Sequence, residues 1–312
     1  MKETLTGKAS STSSNGETFL ALPSRPVKLG ALPISRALPL RECRMVGPWC
    51  FLDRFGPLSF TNGKPMYVPP HPHIGLQTVT WLLAGEVLHT DSLGSQALLK
   101  PGGINVMTAG SGIAHAEETP ENNTGQLNGV QLWTALPDKV RHCEPSFIHL
   151  DRVPSIESDS VVIQLFAGTY AGQTCAASYY SDIIGLDVTI QPGSTVETDM
   201  QLEYEHAIML LEGDCLCNDQ MISDKHLIVL STNRSRISLS TNLGCRVLVI
   251  GGLPFKEKIL MWWNFVARKQ EEIAEARADW EAHRRFKEVP GEHVQRLSAP
   301  SLLRLSQPNP VS

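Results

Sequence analysis

From about Leu20 to Ile250 the chain alternates short apolar runs with clusters of Gly, Pro, Asn and Asp. Thr78 to Leu83, Val87 to Thr90, Val161 to Phe166, Ile183 to Ile190 and Arg246 to Ile250 have the length and β-branched content of strands. Many short strands with such punctuation predict an all-β sandwich or barrel. Ala84-Gly85-Glu86 predicts a tight turn between two strands, because glycine takes a positive φ without a Cβ clash. After Pro254 the period changes. Ile273, Ala276 and Trp280 recur at helical spacing in a run rich in Ala, Glu and Arg, so one amphipathic helix is expected to close the fold. Trp262 and Trp263, just before it, are expected to be core anchors.

The strand pattern repeats. The run from Thr80 to Asp91 (TWLLAGEVLHTD) matches the run from Ile208 to Asp219 (IMLLEGDCLCND), and Leu132 to Pro137 resembles Val249 to Pro254. Two related barrels in tandem are therefore expected. Their limits read as a disordered tail over 1–19, a first barrel over 20–140, a second barrel with the closing helix over 141–290, and a mobile tail over 291–312.

Composition narrows the function classes. The 312 residues are 42% hydrophobic, enough for two domains with cores of their own. A net charge of −5, with no basic stripe interleaved with aromatics, argues against direct nucleic-acid binding. No apolar run approaches the roughly 18 residues of a membrane span. Met1 to Glu17 is rich in Ser, Thr and Gly and lacks the apolar core of a secretory signal. Seven cysteines, an odd number without paired C-x2-C units, suit a reducing cytoplasm. Cys215 and Cys217 fall in an alternating strand and are expected to pack rather than react.

The chemistry concentrates in two short segments. His71-Pro72-His73 and His115-Ala116-Glu117 each offer two donors at i and i+2, which on a strand face the same side. Two such strands facing each other would bring three imidazoles and a carboxylate to one ion, a set that suits Fe, Cu, Ni or Zn better than Mg or Ca. Glu118 should point to the opposite face as a solvated carboxylate. Met107 and Trp81 should pack in or near the barrel.

Around these pairs the chain reads Pro69-Pro70-His71-Pro72-His73-Ile74-Gly75, then Asp91-Ser92-Leu93-Gly94, then Met107-Thr108-Ala109-Gly110-Ser111-Gly112-Ile113-Ala114-His115-Ala116-Glu117. With Val46-Gly47-Pro48, Phe51-Leu52-Asp53 and Gln131-Leu132-Trp133, this text closely resembles the pirin family of the cupin superfamily, from about Arg36 to about Pro290. The resemblance implies two cupin-type barrels, each a double-stranded β-helix or jelly roll. It implies one non-haem metal ion on His71, His73, His115 and Glu117, usually Fe(2+), with Cu, Ni, Mn or Zn as alternatives. Ile74 and Gln77 stand where relatives commonly carry Arg and Glu, a change expected to alter the charge near the mouth of the site. His89 matches a histidine that is not a ligand in the family and is taken as structural.

Carrying the repeat into the second half sets Asp199 and Gln201 opposite His71 and His73, and Thr232 and Arg234 opposite His115 and Glu117. That is a poor donor set, so the second barrel is expected to hold no metal, and His206 reads as a strand histidine. The resemblance implies a dioxygenase of the quercetin 2,3-dioxygenase type, an oxidoreductase taking O2 and a small aromatic hydroxy-keto substrate, with Glu117 able to accept a substrate proton. The alternative it implies is an iron-dependent redox sensor that acts by binding a regulatory protein partner. Fold and donor set serve both readings.

Overall fold

A computed structural model describes residues 19–29, 32–61, 63–291 and 295–302. The expected N-terminal tail lies outside these residues except for Phe19, which opens the first strand. The chain is built almost wholly of strands, with a single helix, Gln270–Glu281, among the described residues.

Each half pairs a seven-stranded sheet with a four-stranded one. In the first barrel the large sheet runs in the spatial order Ser146–Leu150, Ile104–Thr108, Leu76–Gly85, Gln126–Ala135, Trp49–Ser59, Leu32–Leu38, Arg25–Leu29. Its small sheet runs Tyr67–His73, Ile113–Glu118, Val87–Asp91, Gln96–Leu99. The second barrel repeats the plan, with a small sheet ordered Thr195–Asp199, Arg236–Ser240, Cys215–Cys217, Gln220–Ile222. Two cupin barrels in tandem, as expected, share this topology.

The expected hairpin at Ala84 to Glu86 is a sheet-to-sheet bend instead. Leu76–Gly85 pairs within the large sheet, whereas Val87–Asp91 pairs with Ile113–Glu118 in the small one. Gly85 turns the corner at φ +87, and a Cβ there would meet the Gln126 carbonyl at 2.1 Å. Gly213, at φ +79 and equally hemmed in by the Gly244 carbonyl, turns the matching corner of the second barrel. Only glycine combines that φ with so close an approach.

The limits at 140 and 141 do not separate two self-contained units, because the barrels exchange edge strands. Phe19–Pro23 pairs with His226–Leu230 in the second barrel, and Ser146–Leu150 pairs with Ile104–Thr108 in the first. The two large sheets also close on one continuous apolar core that joins Trp49, Leu52, Trp81 and Leu132 to Phe166, Leu186, Ile208 and Val249. Trp81 therefore packs between the barrels, and its Nε1–H donates to the buried Asp187 carboxylate at 2.6 Å. Arg246 neutralises that carboxylate through contacts of 2.7 to 3.0 Å.

The segment after Pro254 folds back onto the first barrel. The helix buries Ile273, Ala276 and Trp280, as its spacing predicts, and these pack with Phe265, Ile74, Ala114 and Ala116. Residues 295–302, expected to belong to a mobile tail, are tied down. The Leu297 N–H donates to the Pro70 carbonyl at 2.9 Å, Trp280 Nε1–H to the Leu297 carbonyl at 2.7 Å, and the Ala299 N–H to Glu281 at 2.7 Å. The helix lends this segment the partners that its own composition does not suggest.

Candidate metal centre

Tyr67–His73 and Ile113–Glu118 are antiparallel neighbours with His115 opposite His71 and Ile113 opposite His73. The i, i+2 spacing thus puts His71, His73 and His115 on one inward face. All three are buried, and their ligand atoms lie within 4.8 Å of one another. A register shift separates His115 from Glu117, whose carboxylate groups with His89 and His115. All four side chains line one cavity of about 410 Å³, within the roughly 300–1,000 Å³ range of small-molecule pockets.

Each imidazole is oriented by its other nitrogen. His71 Nδ1 lies 2.9 Å from the Pro69 carbonyl and His73 Nδ1 lies 3.1 Å from the Asn264 carbonyl. A carbonyl only accepts, so both rings carry their proton on Nδ1 and keep a lone pair on Nε2. His115 Nδ1 faces His89 Nδ1 at 3.3 Å, and His89 Nε2 faces Asp91 Oδ2 at 3.1 Å. Burial pushes the Asp91 carboxyl up, but hydrogen bonds from His89, Ser95 and Leu93 outweigh it and hold the group below its ordinary value. His89 therefore donates from Nε2 to a carboxylate.

With its rings neutral, this arrangement is one proton short. Asp91, His89, His115, His73 and the Asn264 carbonyl form a row whose two ends both accept. The row has four contacts, but three neutral rings supply three protons. Burial holds His73 and His115 far below the usual histidine range, so neither of these two rings supplies the missing proton by charging. The gap can fall between His73 Nε2 and His115 Nε2, which stand 3.1 Å apart. Two nitrogens bound at about 2.1 Å to one ion at a right angle stand about 3.0 Å apart. A first-row metal ion therefore fits the spacing of the two rings.

The fourth donor is prepared differently. Burial raises the Glu117 carboxyl above its ordinary value, against the pull of His89 and of hydrogen bonds from Thr80 and Gln131. Thr80 Oγ1 donates to Glu117 Oε1 at 3.1 Å. Glu118, on the opposite face, pairs with Lys64 at 3.1 Å, as its alternation predicts.

The cavity wall combines aromatic rings with charge. Phe51 stacks on Trp133 with centroids 3.9 Å apart, and Trp133 meets His73 edge-on at 5.3 Å. Arg36 lies 4.5 Å above Phe51 and grips Asp53 through two bonds of 2.7 Å. Lys28, Trp263 and Leu297 complete the lining from outside the strand pairs that hold the donors. Trp263 is thus part of the cavity as well as a neighbour of the helix core. Met107 packs under Phe51 and Trp133, whereas Trp81 belongs to the inter-barrel core.

Two expectations about this region are corrected. Ile74 and Gln77 do not shape the charge at the mouth of the cavity. Ile74 is buried against Phe265 and the closing helix, and Gln77 donates to Thr108 and to the Ser178 carbonyl. His89 is more than a packed strand residue, since it bridges Asp91 to His115. The signal was present, because His89-x-Asp91 is itself an i, i+2 pair on the strand beside His115.

The second barrel uses the same positions for packing. Pairing of Thr198 with Ile237 and of Cys217 with Leu239 sets Thr198, Met200, Ile237 and Leu239 where the first barrel has His71, His73, His115 and Glu117. All four are buried. The repeat read from sequence was therefore one residue off on the first strand and five off on the second. Asp199 is exposed and pairs with Arg236 at 3.0 Å, and Arg234 precedes the strand. His206 is a buried strand histidine, 3.4 Å from Gln201 Oε1 and lowered to about 4 by burial. Cys215 and Cys217 are buried in the same core.

Comparison with known proteins agrees with this geometry. The Pirin family's sequence model matches residues 32–134, and that of the Pirin C-terminal cupin domain matches residues 185–287. A Pseudomonas aeruginosa protein provisionally named quercetin 2,3-dioxygenase is 40% identical over 88% of this chain and 87% of its own. A pirin-like protein of Caulobacter vibrioides is 35% identical over 85% of this chain and 93% of its own. The crystal structure of an Acinetobacter baumannii quercetin 2,3-dioxygenase superposes with a TM-score of 0.90 at 40% identity, covering 93% of this chain and 97% of that one.

Proposed function

Because the chain belongs to the pirin family, we propose that it is a metal-dependent dioxygenase that opens small aromatic hydroxy-keto substrates of the flavonol type with O2. The ion, one per chain, is held by Nε2 of His71, His73 and His115 and by the Glu117 carboxylate. Fe(2+) is our first choice, with Cu, Ni, Mn or Zn as the alternatives that the donor set admits. The observation that carries the reading is the cluster of buried imidazoles of His71, His73 and His115, with His73 Nε2 and His115 Nε2 3.1 Å apart, opening into a cavity of about 410 Å³. The relatives named for quercetin dioxygenation support the substrate class.

Bound there, such an ion would supply Lewis acidity and, where it is redox-active, one-electron chemistry toward an oxygen-donor substrate. The protein's side chains do the rest. Glu117, raised by burial and held by Thr80, takes the proton of the substrate hydroxyl. Phe51, Phe55, Val68 and Trp133 offer a flat aromatic substrate an apolar wall, and Lys28 balances the charge it gains on deprotonation. Trp263 and Leu297 help to exclude water from the cavity. All seven cysteines are free, which supports placing the protein in a reducing cytoplasm. No helix among the described residues is long and apolar enough to cross a membrane.

The test is anaerobic addition of quercetin to the iron-loaded protein, followed by air. The flavonol band should shift on addition and then bleach with uptake of oxygen, and Glu117→Gln should weaken both steps. Turnover by the metal-free protein, or no uptake across a panel of flavonols and catechols, overturns the assignment.

A further inference from the structure

His89 and Asp91 are held as firmly as the donors they stand behind. One Asp91 oxygen accepts the N–H groups of Leu93 at 2.9 Å and Ser95 at 3.0 Å, which fixes the rotation of the carboxylate. The other faces His89 Nε2 at 3.1 Å. The His89 ring lies flat on Phe147, with centroids 4.1 Å apart and planes 4° from parallel. Its Nδ1 therefore meets His115 Nδ1 in a set direction, at 3.3 Å.

The geometry points to Asp91, acting through His89, as a positioning residue that draws the His115 proton to Nδ1 and so frees Nε2 for the ion. The inference rests on His115 being a ligand. An ionised carboxylate can only accept, so a neutral His89 ring donates from Nε2 and accepts at Nδ1, and His115 Nδ1–H is the donor that satisfies it. The proton deficit of the row is then moved to the contact between His115 and His73, where the cation belongs.

An amide at position 91 reverses the row. In Asp91→Asn the oxygen stays with the Leu93 and Ser95 N–H groups, so the new NH2 faces His89 Nε2. His89 then donates from Nδ1 to His115, and His115 donates from Nε2 to His73, whose Nδ1–H still reaches the Asn264 carbonyl. Four contacts now hold four protons. The variant should fold at least as well as the wild type without metal, yet bind metal poorly, because the lone pair needed on His115 carries a hydrogen.

Competition with a chelator for Ni(II), together with nitrogen-15 imidazole spectra of the metal-free and Zn(II)-loaded proteins, tests this. In Asp91→Asn the affinity should fall about 10- to 100-fold, the range for loss of a ligand's outer partner. The His115 proton should be confined to Nε2, and the melting temperature of the metal-free protein should not fall. His89→Gln, whose amide oxygen can accept from His115, should keep most of the affinity. His89→Phe, which keeps the stack on Phe147 but not the acceptor, should lose it. These two variants carry the test if Asp91→Asn fails to fold. Wild-type affinity in both Asp91→Asn and His89→Phe, or a His115 proton whose position ignores residue 91, overturns the inference. If the wild type binds no ion, the ligand assignment fails instead, and the spectra of the metal-free protein still decide the relay.

Discussion

The two small sheets share one topology and differ in what they turn inward. In the first, His71, His73, His115 and Glu117 surround a cavity, and each imidazole leans on a fixed partner, Pro69, Asn264 or His89. In the second, Thr198, Met200, Ile237 and Leu239 fill the space. A jelly roll therefore accepts either a donor cluster or a largely apolar plug at its centre. The first barrel orients its donors with help from outside its own repeat. Asn264 comes from the hairpin before the closing helix, and Leu297 binds Pro70 from beyond it.

The sharpest way to break this comparison is to remove one member from each centre. His73→Ala or His115→Ala should lower metal affinity by more than the roughly 10- to 100-fold that an outer partner is worth, and leave a cooperative unfolding transition, because the shared apolar core does not depend on the ion. Leu239→Ala should do the reverse, costing about 2–5 kcal/mol of stability with metal stoichiometry unchanged at one per chain. Metal analysis and urea titration of the three proteins read both. A ligand variant that is unfolded without metal, or two ions per wild-type chain, breaks the contrast.

Acid sharpens it further, because each barrel buries one histidine lowered to about 4, His71 in the first and His206 in the second. A histidine whose folded value lies below its unfolded value of about 6.5 contributes stability that is whole above pH 6.5. That stability is lost as pH falls through 6.5 towards 4, and each group accounts for on the order of 3 kcal/mol. His73 and His115 add to the loss in the same direction. Against a total stability of about 5–15 kcal/mol, the metal-free protein should unfold at about pH 4 to 5. Urea titrations at pH 7 and 4.5 should show that His71→Gln and His206→Gln each remove one share of the loss, while only His71→Gln changes metal binding. A metal-free protein equally stable at both pH values contradicts the buried neutral imidazoles of both barrels.

Much of this contrast was legible from residue order, for a physical reason. Alternation and i, i+2 spacing are local, so the strands, the inward face shared by His71, His73 and His115, and the buried stripe of Ile273, Ala276 and Trp280 follow from neighbours a few positions apart. Partners set by pairing across the fold were not legible. The edge strands Phe19–Pro23 and Ser146–Leu150 lie with the barrel that offers an open edge, not the one nearest in sequence. His89 reaches His115 only because their strands are neighbours, with His89 opposite Glu117 and His115 opposite Asp91. The register of the second barrel was misread because a repeat aligned on the Gly85 and Gly213 corners, and on Leu132 and Val249, does not see that the connections from those anchors to the two strands differ in length between the barrels.

That misread register yields the smallest effect and a direct check on which residues are equivalent. If Asp199 occupied the position of His71, Asp199→Ala would open the centre of the second barrel. It is instead 74% exposed and paired with Arg236, itself 59% exposed, and such surface pairs contribute about 0–1 kcal/mol. Asp199→Ala should therefore shift stability by no more than that and leave metal content unchanged. Thr198 is the inward residue, fully buried, with its hydroxyl lacking a hydrogen-bond partner. Thr198→Val keeps the shape and removes the unsatisfied group, so it should be neutral or stabilising by about 1 kcal/mol. The same substitution at a satisfied threonine of the first barrel, Thr80→Val, takes a hydrogen bond from the buried Glu117 and should cost about 1–3 kcal/mol in the metal-free protein. Urea titration of the three variants orders them. A larger loss for Asp199→Ala than for Thr198→Val and Thr80→Val would restore the register read from sequence and remove the structural equivalence on which the comparison of the two centres rests.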